Sequence, residues 1–126
     1  MKILRAAIII LLVMCIFIGV HSFLMNKMGK SLGAKNDEVF RLASAENWET
    51  VRFKLEGIRQ EWEKYSIWAS LTISTEDIEQ LEISLAQAEA FADLEEKTNF
   101  FGEFIMFSKL VNHIPHREGF HIEEIL

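Results

Sequence analysis

One apolar stretch near the N-terminus constrains the fold of this chain more than any other feature. Residues 6–25 read AAIIILLVMCIFIGVHSFLM and contain no acid, lysine or arginine. Twenty helical residues at about 1.5 Å each span roughly 30 Å, the thickness of a hydrocarbon core. Twelve of them are isoleucine, leucine, valine or phenylalanine, which favours insertion by roughly 4 to 7 kcal/mol. The sequence predicts a transmembrane helix over residues 6–25, after a short tail, residues 1–5.

Two other interpretations of this stretch fit its residues less well. A cleaved signal peptide ends in small residues of the A-x-A type, whereas this stretch ends in the bulkier VHSFLM. A helix in the core of a soluble protein is rarely this long without a charge. Cys15 is the only cysteine, so no intramolecular disulfide forms and cysteine usage does not indicate the compartment. We therefore favour an uncleaved anchor that contacts the lipid bilayer.

Charge is distributed unevenly along the chain. Five of its thirteen basic side chains flank the apolar stretch, which gives residues 36–126 a net charge of −11. The five are Lys2, Arg5, Lys27, Lys30 and Lys35. An acidic domain cannot replace the counterions of phosphate, so we expect no nucleic-acid binding. Lys2 and Arg5 favour a cytoplasmic N-terminus, whereas Lys27, Lys30 and Lys35 favour the reverse orientation. Because a short tail before a first apolar helix usually stays inside, we expect a cell-membrane protein with a cytoplasmic N-terminus and its domain outside.

Apolar residues recur at helical spacing along the rest of the chain, and no stretch alternates as a strand does. One stripe continues the apolar helix through residues 26–43 as a juxtamembrane helical stalk, with Lys35 at one apolar position. Three further stripes are Trp48, Val51, Leu55, Ile58, Trp62, Tyr65, Ala69 and Thr72; Ile78, Leu81, Leu85, Ala88 and Ala92; and Phe100, Phe104, Phe107, Val111 and Ile114. The sequence predicts an all-α fold, in which the transmembrane helix continues into a small antiparallel bundle of about four helices, with residues 44–126 as the bundle domain.

Helix boundaries are predicted from capping residues and proline. Ser44 precedes the second stripe, and a hydroxyl there is typical of a helix N-cap. Ser74 and Asp93 are each followed three residues later by an acid, which resembles a capping box before the third and fourth helices. Pro115 is expected to end the fourth helix, because proline cannot continue the hydrogen-bond ladder.

Three histidines near the C-terminus are the strongest candidates for chemistry. His113, His116 and His121 could share a metal ion, since imidazoles three residues apart near a helix end are typical ligands. The bland alternative, which we favour, gives His113 a packing or capping role at a helix C-terminus. The sequence has no Gly-rich phosphate loop and no nucleophile or zinc-protease motif, so we expect no enzyme activity, no catalytic residues and no cofactor.

The fourth helix carries more apolar residues than one packing face requires. Met106 and Leu110 lie outside the seam that contains Phe104 and Phe107. Either this helix is central in the bundle, with neighbours on two sides, or these four residues present an interface to a partner. We favour the central position and keep the four residues as interface candidates.

Several short motifs resemble those of one known family. They are Asn47-Trp48-Glu49, Glu61-Trp62-Glu63-Lys64 with Trp68, the run from Ile78 to Leu85, and His113-Ile114-Pro115 followed by FHIEEIL. Over nearly its whole length the chain resembles the domain-of-unknown-function 4363 family. The resemblance implies a small single-pass membrane protein of a Gram-positive, often spore-forming bacterium, and it implies no mechanism.

We therefore expect a membrane-anchored helical domain that acts by protein–protein contacts. Its partner is a membrane or envelope protein or a second copy, which it assembles or stabilises. The alternative is an extracytoplasmic metal- or ligand-binding sensor domain that uses the C-terminal histidines.

Overall fold

Four α-helices joined by short loops make up the computed structural model, which describes the backbone of residues 1–125 and the side chains of residues 1–112. The helices are α1 (Lys2–Ser44), α2 (Trp48–Ser70), α3 (Thr75–Asp93) and α4 (Lys97–Ile125). The chain is 90% helical, and its described part contains no strand. The all-α prediction, a long apolar N-terminal helix followed by a helical bundle, is confirmed.

The helices pack in a closed ring in which each contacts its two neighbours. Helix α1 packs on α2 and α4, and α3 packs on the same two helices. Loops of three or four residues force consecutive helices to run antiparallel. The loop between α2 and α3 therefore lies at the end of the bundle nearest the apolar half of α1.

The core is built largely from the predicted stripes, although Thr72 is exposed and Ser84, which no stripe contained, is buried. In α2 the buried positions are Trp48, Val51, Leu55, Ile58, Trp62, Tyr65 and Ala69, and in α3 they are Leu81, Ser84, Leu85, Ala88 and Ala92. Aromatic rings of α4 fill the space against α1. The Phe104 ring meets Phe40 of α1 edge-on at 4.9 Å between centroids and stacks on Phe100 at 5.3 Å. Helix α4 therefore has packed neighbours on two sides.

The second half of α1 is one of the four bundle helices. Its buried residues are His21, Met25, Met28, Gly29, Leu32, Asn36, Val39 and Ala43. The segment predicted as a stalk, residues 26–43, is thus packed within the bundle. Asn36, rather than Lys35, occupies the polar position in the stripe, because a period of 3.6 places residue 36 above Leu32. Lys35 points outward and pairs with Glu61 of α2.

Of the three predicted N-cap residues, one caps a helix. Ser74 caps α3 by accepting a hydrogen bond from the Asp77 amide at 3.2 Å, as predicted. The predictions for Ser44 and Asp93 are wrong, since these are the last residues of α1 and α3. The Ser44 hydroxyl donates instead to the Phe40 carbonyl within the same helix, at 2.9 Å.

Helices α1 and α3 end in turns of the same type. In each turn a glutamate has a left-handed backbone, with φ of 58° at Glu46 and 56° at Glu95. The following amides donate back into the last helical turn: Glu46 to Ala43 and Asn47 to Leu42, and Glu95 to Ala92 and Glu96 to Phe91, all at 3.0–3.1 Å. This is the Schellman pattern, in which glycine normally occupies the left-handed position. Neither turn contains glycine or proline, so the sequence offered no breaker to locate it.

Helix α4 runs through Pro115 to Ile125. The prediction that Pro115 ends this helix is therefore wrong. Proline removes one hydrogen-bond donor and crowds one carbonyl of the preceding turn. These effects are local and can bend a helix without ending it.

Candidate functional site

The first half of α1 has the surface expected of a membrane anchor. Every side chain of residues 1–20 is exposed, and only Lys2 and Arg5 among them are charged. Among the described residues, α1 is the one helix whose length and apolar composition suffice to cross a bilayer, and its apolar window has no buried residue. A helix that is apolar all round matches surroundings that are apolar all round.

The junction between this exposed half and the bundle is abrupt. Val20 is 45% exposed, whereas His21, one residue later, is 4% exposed. The His21 Nε2 atom donates to the Trp68 carbonyl oxygen at 2.6 Å, since a carbonyl can only accept. The Phe17 ring also lies 6.0 Å from the Trp68 ring, between centroids. The last turn of α2 is thereby fixed against the apolar half of α1.

Ion pairs join the outer faces of neighbouring helices. Lys54 of α2 lies 3.3 Å from Glu38 of α1. Arg59 of α2 donates to both carboxylate oxygens of Glu89 on α3, from Nε at 2.9 and 3.0 Å. This hydrogen bond to Glu89 raises the pKa of Arg59, so the guanidinium stays charged above the pH range in which arginine ordinarily loses its proton. These pairs lie on the solvent-exposed surface, where they help to fix the register of neighbouring helices. They do not form an enclosed site.

The predicted interface residues divide between the core and the surface. Phe104 and Phe107 are completely buried, and Leu110 is partly buried against the core. These phenylalanines are core residues in this fold, because α4 packs on both α1 and α3. Met106 is 45% exposed and remains available for a contact. For the phenylalanine seam, the arrangement is the one expected of a central helix with neighbours on two sides.

The predicted metal ligands His113, His116 and His121 lie outside the residues whose side chains the structure describes. Within residues 1–112, no group of three or more histidine, cysteine, aspartate or glutamate side chains is placed to hold a metal ion. The histidine site therefore stays a prediction.

Sequence reasoning missed two polar features of α1. It did not pair His21 with Trp68. A histidine near the end of an apolar run and a tryptophan near the end of α2 are nevertheless typical of the boundary between a membrane helix and a water-soluble domain. It also missed Asn36, which is 2% exposed and has no hydrogen-bond partner for either amide atom among the described residues. Only the position of residue 36 in the 3.6-residue period gave a signal for its burial.

Comparison with known protein families identifies a matching family. The family described as a domain of unknown function (DUF4363) matches residues 20–125. The match confirms the resemblance carried by the sequence motifs, and it begins where α1 enters the bundle. No curated protein and no solved structure matches the chain.

Proposed function

This chain belongs to the DUF4363 family, and from that premise we propose that it is a membrane-anchored helical bundle that works by protein contacts. The exposed half of α1, which ends at Val20, anchors it in the cell membrane, because the last residues of the predicted span 6–25 include Met25, which is buried in the bundle. The N-terminus faces the cytoplasm and the bundle lies outside. The single observation that carries the proposal is the change from exposed to buried side chains at His21, within one continuous helix. It assembles or stabilises a membrane or envelope component and does not catalyse a reaction.

The exposed apolar half of α1 supports a bilayer as its surroundings. Large apolar side chains occupy nearly every position from Ile8 to Val20, and all are exposed. Removing one such side chain from water contributes about 1.5–3 kcal/mol. Water around this half would therefore favour aggregation, whereas hydrocarbon suits an apolar surface on every face of the helix.

A contact surface centred on Met106 supports the protein-binding part of the proposal. The Gln87 amide of α3 faces the Glu103 carboxylate of α4, which places Met106, one turn beyond Glu103, on the α3 side of α4. Ile83, one turn before Gln87, is also exposed and lies at the same level. Two exposed apolar side chains at the same level of adjacent helices offer a small apolar surface to a partner.

The anchor and its orientation are tested together on the full chain. We expect the protein to stay in the membrane fraction at alkaline pH in carbonate, and a phosphatase reporter fused after Leu126 to be active only outside the cell. Extraction by carbonate, or loss of the first two dozen residues from the mature protein, overturns the anchor. A reporter that is active only inside overturns the orientation alone.

The contact surface is tested with two matched substitutions on α4. Met106 and Ile105 are 45% and 43% exposed, but Ile105 lies one turn beyond Phe101, which stacks on Phe40 of α1. We expect Met106→Glu to abolish cross-linking to a partner or to a second copy in intact membranes, and Ile105→Glu to preserve it, with both variants folded. Equal loss, or no loss, in the two variants overturns Met106 as the centre of the contact.

A further inference from the structure

We infer that the end of the bundle nearest the anchor rests in the interfacial layer of the same bilayer. The contact is made by an apolar collar, defined as Phe23 of α1 with Ile67, Trp68 and Leu71 at the end of α2. This inference rests on the proposed function, because it requires α1 to be anchored in a membrane. It adds a second membrane contact that does not belong to the spanning segment.

The collar is held at the level of the anchor by direct contacts. Trp68 accepts a hydrogen bond from His21 and its ring lies beside Phe17, both within the apolar stretch. Because α2 runs antiparallel to α1, residues after Trp68 lie nearer the N-terminal end of α1. Leu71 is therefore at or below the level of His21, at the depth of the apolar half of α1.

The chemistry of the collar suits the boundary between headgroups and acyl chains. Ile67, Phe23 and Leu71 are large, apolar and mostly exposed, although each lies on or next to a helix with a well-packed face. Trp68 is partly exposed and amphipathic, and tryptophan is enriched at this depth in membrane proteins. A protein surface of this kind in water would be unfavourable, and the attached bilayer is the nearest apolar phase.

The dimensions of the anchor agree with this placement. With the collar at the interface, the spanning segment is residues 3–20, about 27 Å long at about 1.5 Å per residue. That length matches a hydrocarbon core of roughly 30 Å. Lys2 then lies at one headgroup layer, and the exposed Lys27, one turn beyond Phe23, lies at the other. Lys2 and Arg5 reach the headgroups through their flexible stems.

Two positions on α2 give a matched test. Ile67 and Phe53 are both 73% exposed, and they lie fourteen residues apart. That separation is about four turns and roughly 21 Å along the axis, so both side chains point to nearly the same side of α2. We would replace Cys15 by alanine, introduce Ile67→Cys or Phe53→Cys into the full chain, and attach bimane to each.

The labelled proteins are reconstituted into vesicles of phosphatidylcholine and phosphatidylglycerol, and bimane quenching is compared for doxyl-labelled lipid and for iodide on both sides of the membrane. At residue 67 we expect strong quenching by the lipid quencher, and iodide quenching at least threefold weaker than at residue 53. At residue 53 we expect quenching by iodide and little by lipid. Circular dichroism confirms that both variants are folded.

Three outcomes overturn the inference. Equal iodide quenching at the two positions, with no lipid quenching at residue 67, shows that the collar is in water. Shielding of residue 67 from both quenchers shows that protein, such as a second copy, covers the collar. If the labelled chain fails to float with the vesicles, the anchor itself fails, whereas a floating chain with a wet residue 67 leaves the proposed function intact.

Discussion

The two halves of α1 are one continuous helix, but their side chains meet different surroundings. In the first half every face is apolar and every residue through Val20 is exposed. In the second half a single stripe from His21 to Ala43 is buried, and charged residues such as Lys35 and Glu38 occupy the other faces. The backbone geometry is the same in both halves, so the distribution of apolar residues around the helix, and not helix propensity, decides which surroundings each half requires.

The largest expected difference between the two halves comes from placing the same substitution, leucine to aspartate, in each of them. Leu32→Asp places a carboxylate at a completely buried position, and we expect a loss on the order of 5 kcal/mol, enough to unfold the bundle. Leu11→Asp lies in the exposed half, and we expect an unchanged bundle but membrane insertion less favourable by about 3 kcal/mol. Thermal unfolding in detergent and carbonate extraction measure the two effects. Loss of the bundle transition in the Leu11 variant would contradict this division.

The second half of α1 depends on α4 for its apolar surroundings. Removing the ring that meets Phe40, in Phe104→Ala, should cost about 3–5 kcal/mol of unfolding free energy, since it leaves a large cavity. Met106→Ala, two residues later and half exposed, should change stability by less than about 0.5 kcal/mol. Denaturant unfolding in detergent distinguishes the two variants, and similar costs would show that Phe104 is not in the core.

Asn36 is the polar exception within the buried stripe of α1. Its amide is buried without a partner among the described residues, so Asn36→Leu should stabilise the bundle by about 1–3 kcal/mol. Asn26→Leu is the control, because Asn26 lies on the same helix and is exposed. We expect that change to alter stability by less than about 0.5 kcal/mol. A loss of stability in the Asn36 variant would mean that a water molecule or another group satisfies the amide.

The smallest expected effect lies in the turns that end α1 and α3. Glu46→Gly and Glu95→Gly relieve a left-handed backbone at a residue with a side chain, and each should stabilise the bundle by about 1 kcal/mol. Glu49→Gly, in the first turn of α2, should cost up to about 1 kcal/mol instead. The three melting temperatures are the measurement, and a stabilising Glu49 variant would show that the gain does not come from the left-handed turns.

The sequence predicted most of this fold through periodicity. The stripe of α2 from Trp48 to Ala69 follows a regular 3.6-residue period, so its buried face was predicted residue by residue. The turns after Ser44 and Asp93 were misplaced because the left-handed position holds glutamate, which carries no signal for a helix end. Contacts between distant segments, such as His21 with Trp68, depend on how the helices align and could not be derived from spacing within one helix.

The continuity of α1 has a mechanical consequence. At about 1.5 Å per residue, its 43 residues form a rod of roughly 65 Å, with Gly29 and Gly33 inside regular helix and no break at the bilayer surface. A rod of this kind is a lever. A tilt of about 20° in the lipid, ordinary for a spanning helix, would swing the far end of the bundle sideways by roughly 12 Å. In the proposed membrane-anchored arrangement, the orientation of the bundle above the lipid is thus tied to the thickness of the bilayer.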